Sequence, residues 1–402
     1  MTMFKRFFSK GPAIQAVKAP QSQPSLEYFA WLLSRNPSGD IPDITHSPEV
    51  TCVDDGLVSR IASSYKHAHK EFVPTTSPWD HSLFSIKAEV HNALLGDDLA
   101  EAARVLERPD QTTFFWGFDD IARAPPGELE PHDLVLRRLN KSLPLETLRS
   151  LWLMDALSNL AEAIGARRVT YPEMEPADVG ALYANSRSAD QILDDIDSTL
   201  GIKLQFPNPF PNEQGLSTTR GIVGFRSLQA VYQAWRIAQL AEGNKYFKVL
   251  EIGAGLGRTA YFAWLFGVRN YTIIDIPLTN AAQASFLGRT LGSSLIGLHG
   301  ETASADIRIV PVTAIDQIAE RYDLIVNVDS LTEMDQQTAA SYWSFIKRNT
   351  GTFLSINHEI NQHTVRALYA NDPDVAALRY PYWMRRGYIE ELLTWQKSGP
   401  LK

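Results

Sequence analysis

The residues best equipped for chemistry stand in short stretches of the C-terminal half. The first reads Glu251-Ile252-Gly253-Ala254-Gly255-Leu256-Gly257 and completes the apolar run KVLEI that begins at 248. Glycines there let a backbone turn sharply and approach a ligand with no Cβ in the way. A dinucleotide fingerprint, G-x-G-x-x-G, would put its third glycine at position 258, where this chain has Arg258. No lysine–serine pair follows, so a P-loop is excluded. An acid just before the loop would repel a pyrophosphate and suits a ligand with a cationic amino group. The second stretch, YTIIDI from 271, ends in Asp275 and Ile276. A carboxylate at that point, 18 residues beyond Gly257, can accept both hydrogen bonds of a ribose diol. The acid alone would equally suit NAD. The glycine spacing chooses between the two and points to S-adenosylmethionine.

Proton-accepting groups gather at two further run ends, Asn327-Val328-Asp329 with Glu333, and Ser355-Ile356-Asn357-His358-Glu359. Attack by a hydroxyl on an electrophile held at such strand ends needs in-line geometry and a base that takes the proton. His358 is the expected base, because its ordinary pKa lies near neutrality. Asp329 could serve instead, or orient the imidazole. Asp329, Glu333 and Glu359 could also gather a magnesium ion, since that hard cation prefers carboxylate oxygens. A metal-free mechanism is preferred, as strand-end carboxylates commonly face solvent or cap the next helix, and Glu333 could cap residues 335–348. The segment Tyr380-Pro381-Tyr382-Trp383-Met384-Arg385-Arg386-Gly387-Tyr388 could offer a sugar platform, with two arginines for an acidic sugar or a nucleotide diphosphate. Trp79 and Trp116 could close over the same cleft. His67 and His69 read as exposed helix residues.

The elements that must position these groups are legible from periodicity. Apolar runs KVLEI at 248, YTIIDI at 271, IRIVPV at 307, DLIVNV at 323 and TFLSI at 352 alternate with helix-length segments of mixed polarity. That pattern predicts a doubly wound, mostly parallel α/β sheet covered on both faces, with ligands at the C-terminal strand ends. Helices are expected at 227–240 and 258–266. Residues 25–215 read as mainly helical. Leu83, Ile86, Val90 and Leu94 lie three or four apart between Asp80 and Gly96, Leu99, Ala102 and Leu106 precede Pro109, and a leucine stripe runs from Leu145 to Ile164 before Gly165. The proline-rich stretch 205–220 marks a boundary, which divides the chain into a tail (1–24), a helical domain (25–215) and an α/β domain (216–402).

Composition sets the outer limits. Of 402 residues 44% are hydrophobic and 21% charged, ordinary globular usage. The net charge of -8 repels phosphate backbones and anionic lipid, so nucleic acid is not an expected partner. A single cysteine, Cys52, excludes an internal disulfide and fits a reducing cytoplasm. The longest apolar run, 260–268, is too short to span a membrane, and MTMFKRFFSK lacks the apolar core of a secretion signal.

LEIGAGLGRTAY (250–261), YTIIDIP (271–277) and YDLIVNVDSLTEM (322–334) resemble the class I, Rossmann-like S-adenosylmethionine-dependent methyltransferases. Within them the likeness is to bacterial sugar O-methyltransferases, with the Asn327-x-Asp329-Ser330-x-x-Glu333-Met334 ending the most family-specific part. The resemblance covers about residues 216–395. It implies that Glu251, Gly253, Gly255 and Gly257 cradle the methionine side, that Asp275 with Ile276 takes the ribose, and that Asn327 and Asp329 sit beside the methyl group. The chain departs at the third strand, where an acid often holds adenine and this sequence has Val312-Thr313. The Asn- or Asp-Pro-Pro-aromatic signature of exocyclic-amine methylation is absent, which weighs against base methylation. The implied acceptor is a carbohydrate or glycosylated small molecule, with the helical domain as acceptor lid or homo-oligomer surface. Two other classes compete: an NAD(P)-dependent oxidoreductase or epimerase, which lacks a Tyr-x-x-x-Lys pair here, and a non-catalytic methyltransferase-like scaffold.

Overall fold

The structure is a computed structural model that describes residues 42–48, 54–74, 85–119, 121, 143–169, 187–302, 304–361 and 363–395. The expected tail, Asp80 and Trp79 lie outside them. The first part of the chain gives β1 (Ile44–His46), α1 (Asp55–Glu71), α2 (Ala88–Leu95), α3 (Leu99–Glu107), α4 (Leu145–Ala163) and α5 (Ala189–Leu200). Helix α1 forms where Asp54 accepts from the Leu57 amide at 3.0 Å and Leu57, Val58, Ile61, Tyr65 and Ala68 fall on one buried face. Asp98 caps α3 in the same way, and Gly96 ends α2 as its sequence position suggests.

Next come β2 (Gln214–Thr218), β3 (Gly221–Val223) and α6 (Phe225–Ala241). Strand β2 pairs antiparallel with both β1 and β3, so the division expected at residue 215 falls inside a strand that ties the two regions together. A single cluster of buried side chains runs from α1 and α4 through α6 into the main sheet, with Leu57, Leu157, Val231 and Tyr271 among its members. One core, not two, stabilises the helices and this face of the sheet.

The main sheet contains β4 (Lys248–Ile252), then α7 (Arg258–Leu265), β5 (Asn270–Asp275), α8 (Pro277–Leu291), β6 (Ile296–Leu298), β7 (Ile307–Pro311), β8 (Leu324–Val328), α9 (Gln336–Asn349), β9 (Thr352–His358), α10 (Val365–Tyr369), β10 (Val375–Pro381) and β11 (Tyr388–Trp395). Its spatial order is β10-β11-β9-β8-β4-β5-β7-β6. Strands β4 to β9 are parallel, and the β10–β11 hairpin adds antiparallel to β9. The chain starts at β4, steps outward through β5 to the edge strand β6, returns to place β7 between those two, then crosses back to place β8 on the other side of β4. Crossovers therefore leave β4 in opposite directions, and a crevice opens at its C-terminal end. The expected doubly wound sheet is present, with each of the five apolar runs forming a strand.

The opposite face packs Leu250, Ile325 and Phe353 against α9 residues Phe345 and Ile346. Helix α1 is fastened to the β6 edge by Arg60, whose guanidinium donates to the Ser293 and Ile296 carbonyls and to the Glu301 carboxylate. That attachment fixes where the C-terminal end of α1 lies relative to the sheet. Among the described residues no helix is long and apolar enough to cross a membrane.

Candidate functional site

A cavity of about 430 Å³ opens at the C-terminal ends of β4, β5 and β8 and beside the turn after β7. Its sheet-side wall is the turn after β4. Glu251 is buried there, accepts a 2.9 Å hydrogen bond from the Tyr271 hydroxyl, and is pushed by burial up to about 7, with nearby Asp275 adding to the rise. Gly253 and Gly255 both line the cavity. Gly253 has φ +72°, and a Cβ on it would overlap the Ser330 hydroxyl, so two neighbouring strand ends can approach only because the side chain is missing. Gly257 is not on the cavity wall. It precedes α7 at φ +86° and faces Leu287 and Gln283, which makes it a packing glycine.

Asp275 and Ile276 form the next part of the wall. The Asp275 carboxylate accepts from the Ile276 amide at 2.8 Å and from Gln283 Nε2 at 2.7 Å. Burial pushes it up to about 7 against those donors and against the nearby Lys87 ammonium. Lys87, at the start of α2, is itself buried, lies 4.3 Å over the Phe118 ring and is lowered by burial to about 7. Thr313 follows β7 and also lines the cavity, and its Oγ1 is buried with no hydrogen-bond partner. An orphaned hydroxyl on a cavity wall is a position for a ligand atom.

The far end is built on β8. Asn327 is fully buried, gives Nδ2 to the Ile252 carbonyl at 2.9 Å and to Ser330 Oγ, and accepts at Oδ1 from Leu331 N and Asn357 Nδ2. It is absent from the cavity wall, which the resemblance led us to expect it to share with Asp329, and pins β8 to β4 and β9. Asp329 does line the cavity, at φ +59°. The Tyr388 hydroxyl lies 2.8 Å from each of its carboxylate oxygens, Arg385 Nη1 is at 3.4 Å, and His358 Nε2 is at 3.5 Å. His358 is not part of the wall and stands behind Asp329. The Ile360 amide donates to His358 Nδ1 at 3.4 Å, which leaves the Nε2 proton directed at Asp329.

The magnesium set that the sequence offered as an alternative does not assemble, because Glu359 is held by Arg379 at 2.7 Å. Asp329, Glu333 and His358 do bring ligand atoms within 4.8 Å of one another. The His358 nitrogen nearest this cluster is the protonated Nε2, and Tyr388 and Arg385 turn further donors toward Asp329, so the cluster presents hydrogen-bond donors where a cation needs lone pairs and the residues do not fit a metal. Helix α9 is capped by Asp335, which accepts from the Thr338 amide at 2.9 Å, and Glu333 instead lines the cavity.

Sequence reasoning missed the remaining wall. Phe72 and Val73 after α1, and Gly117, Phe118 and Asp119, cover the cleft from the N-terminal region. Trp116 is not on the wall, although the three residues that follow it are. Arg258, which sequence reading used only to exclude a dinucleotide fingerprint, is buried at the start of α7. It donates from Nε to Asp119 at 2.9 Å, from Nη1 to Ser227 at 3.1 Å, and pairs with Glu213 at 2.8 Å. It ties the glycine turn to the segment that covers it. His67 and His69 also have partners, the rings of His299 at 4.9 Å and His91 at 4.8 Å.

No family model and no curated protein sequence matches the chain. Similar solved structures include the glycopeptide N-methyltransferase MtfA complexed with S-adenosyl-L-homocysteine, at 15% identity and TM-score 0.32 over 42% of this chain and 90% of that one. Another is magnesium protoporphyrin IX methyltransferase (ChlM) from Synechocystis PCC 6803 with bound S-adenosylmethionine, at 16% identity and TM-score 0.31 over 43% of this chain and 86% of that one.

Proposed function

We propose that the protein is an S-adenosylmethionine-dependent O-methyltransferase that modifies a hydroxyl of a sugar or glycosylated small molecule. One observation carries the reading: a single cavity joins Glu251 and Asp275 at one end to Asp329 at the other. Asp275 has the lone pairs for a ribose diol, and Glu251 supports a cationic amino group near the Gly253–Gly255 backbone. These residues would hold the cofactor, which supplies an electrophilic methyl group on a sulfonium and needs little further activation. The chain's own task is to orient the acceptor and take its proton.

Of the two candidate bases, His358 and Asp329, the reading favours Asp329. Asp329 faces the cavity, whereas His358 points its Nε2 proton at Asp329 and stabilises the carboxylate from behind. Tyr388 and Arg385 lock the same carboxylate in place. Gln229, Gln233 and Glu333 add polar groups to the wall, as a hydroxyl-rich acceptor requires.

A thermal-shift panel of S-adenosylmethionine, S-adenosylhomocysteine, NAD and NADP tests the cofactor, followed by labelled-methyl transfer to free sugars, nucleotide sugars and glycosides. Stabilisation by the first two and transfer to a sugar hydroxyl are expected. Stabilisation by NAD or NADP alone would overturn the reading.

A further inference from the structure

We infer that Glu71, the last residue of α1, reads the exocyclic amine of the adenine and replaces the acid missing after β7. This rests on the cofactor assignment above. After β7 the wall continues as Val312 and Thr313, which offer no carboxylate, yet Thr313 Oγ1 is buried there with no partner. Glu71, Phe72 and Val73 line the same cavity from the N-terminal region. Their place is fixed by two further facts. Arg60 fastens α1 to the β6 edge, and the ring of His67, one helical turn before Glu71, lies 4.9 Å from that of His299, the residue after β6. Strand β6 pairs in parallel with β7, with Leu298 opposite Ile309, so His299 and Thr313 both lie beyond the C-terminal edge of this corner of the sheet. Glu71 is therefore on the Thr313 side of the cavity, past Asp275, where a base attached to the ribose would extend.

The residue itself looks placed for a ligand. A carboxylate at a helix C-terminus opposes the helix dipole, so the position is unfavourable for the fold. Among the described residues the Glu71 carboxylate makes no hydrogen bond and no ion pair. Val73 beside it is 79% exposed, an apolar surface that a planar base would cover. An adenine here would give its amine to the Glu71 carboxylate and accept from Thr313 Oγ1 at a ring nitrogen. A hypoxanthine base has a carbonyl in place of the amine, which the carboxylate would repel.

The test is calorimetric affinity for S-adenosylhomocysteine and S-inosylhomocysteine, with wild type and Glu71→Gln. Wild type should prefer the adenosyl ligand by about 10-fold or more, since the contact is a charge-assisted hydrogen bond set against a repulsion. Glu71→Gln should bring that ratio close to one, because its amide can donate to the inosine carbonyl. Circular dichroism should be unchanged, as the substitution removes an unfavourable charge from the helix end. An unchanged ratio in Glu71→Gln, with S-adenosylhomocysteine still bound, would overturn the role of Glu71 and leave the cofactor assignment standing. Failure of wild type to bind either ligand would overturn both.

Discussion

The turns after β4 and β8 are neighbours in the sheet, with Ile252 paired to Asn327, yet they reach the same left-handed backbone by different means. After β4 the residue is Gly253, at φ +72°, and after β8 it is Asp329, at φ +59°. Glycine takes that conformation at no steric penalty, whereas an L side chain costs roughly 1–2 kcal/mol. The first turn is shaped by packing, since a side chain on Gly253 would strike Ser330. The second keeps a carboxylate where glycine would be easier, and holds it with Tyr388, Arg385 and His358. Strain retained at a cavity wall and stabilised by three surrounding groups supports the proposal that the β8 turn carries the base.

The largest effect should follow from changing that carboxylate. Asp329→Asn keeps the shape and tolerates the left-handed backbone, but removes the base. Turnover should fall about 10²–10⁴-fold, with S-adenosylhomocysteine affinity within a few-fold of wild type. His358→Ala should cost only about 10-fold, as a group that acts through Asp329. Steady-state rates with any accepted sugar decide the matter, and the reverse ranking would return the base to His358.

The β4 turn should respond in stability instead. Arg258→Met leaves Asp119 and Glu213 buried without their cation, and loss of about 3–5 kcal/mol is expected in urea unfolding. Gly253→Ala should cost about 2–4 kcal/mol through overlap with Ser330 and the positive φ. Adding Ser330→Gly should recover the overlap but not the backbone penalty. If Gly253→Ala alone is neutral, the two strand ends are not in the contact described and the comparison between the turns fails.

Much of this was legible in the sequence, for definite reasons. Parallel strands buried on both faces read as continuous apolar runs, so β4, β5, β7, β8 and β9 stand out, and the glycine turn and Asp275 follow from where those runs end. The β10–β11 hairpin did not stand out. Its polar and aromatic residues answer to one another across the molecule: Glu390 is fully buried and accepts from Tyr232, Arg236 and Tyr380. Without that hairpin, the register that sets Tyr388 opposite His358 could not be drawn, and the phenol on Asp329 was missed. The cover from Phe72 and Phe118 was invisible for a similar reason, since contacts between residues more than a hundred positions apart leave no local periodicity. Asn327 shows the opposite error, a residue correctly placed at a strand end whose side chain is taken up by backbone and side-chain groups of its neighbours.

The smallest predicted effect concerns pH, and it sharpens the contrast by asking whether the cofactor end titrates near neutrality. Burial raises Asp275 to about 7, well above its unfolded value of roughly 3.9. The native state then holds a proton that the unfolded chain has released, so this group's contribution to stability is fully present below about pH 4 and is lost as pH rises through about 7. Asp275→Asn mimics the protonated form and should not lose it. The melting temperature of the variant, relative to wild type, should therefore climb between pH 5 and pH 8, while Glu251 contributes the same trend to both proteins. Ligand affinity should run the other way. A ribose diol donates to the ionised carboxylate, so S-adenosylhomocysteine should bind wild type more tightly at pH 8 than at pH 6, and Asp275→Asn weakly at both. Lys87, lowered to about 7, loses its charge over the same range and no longer favours the Asp275 anion. The gain should accordingly be shallower than tenfold per pH unit. A wild-type affinity that is flat from pH 6 to pH 8, measured by calorimetry, would show that Asp275 is ionised throughout and that its donors outweigh its burial.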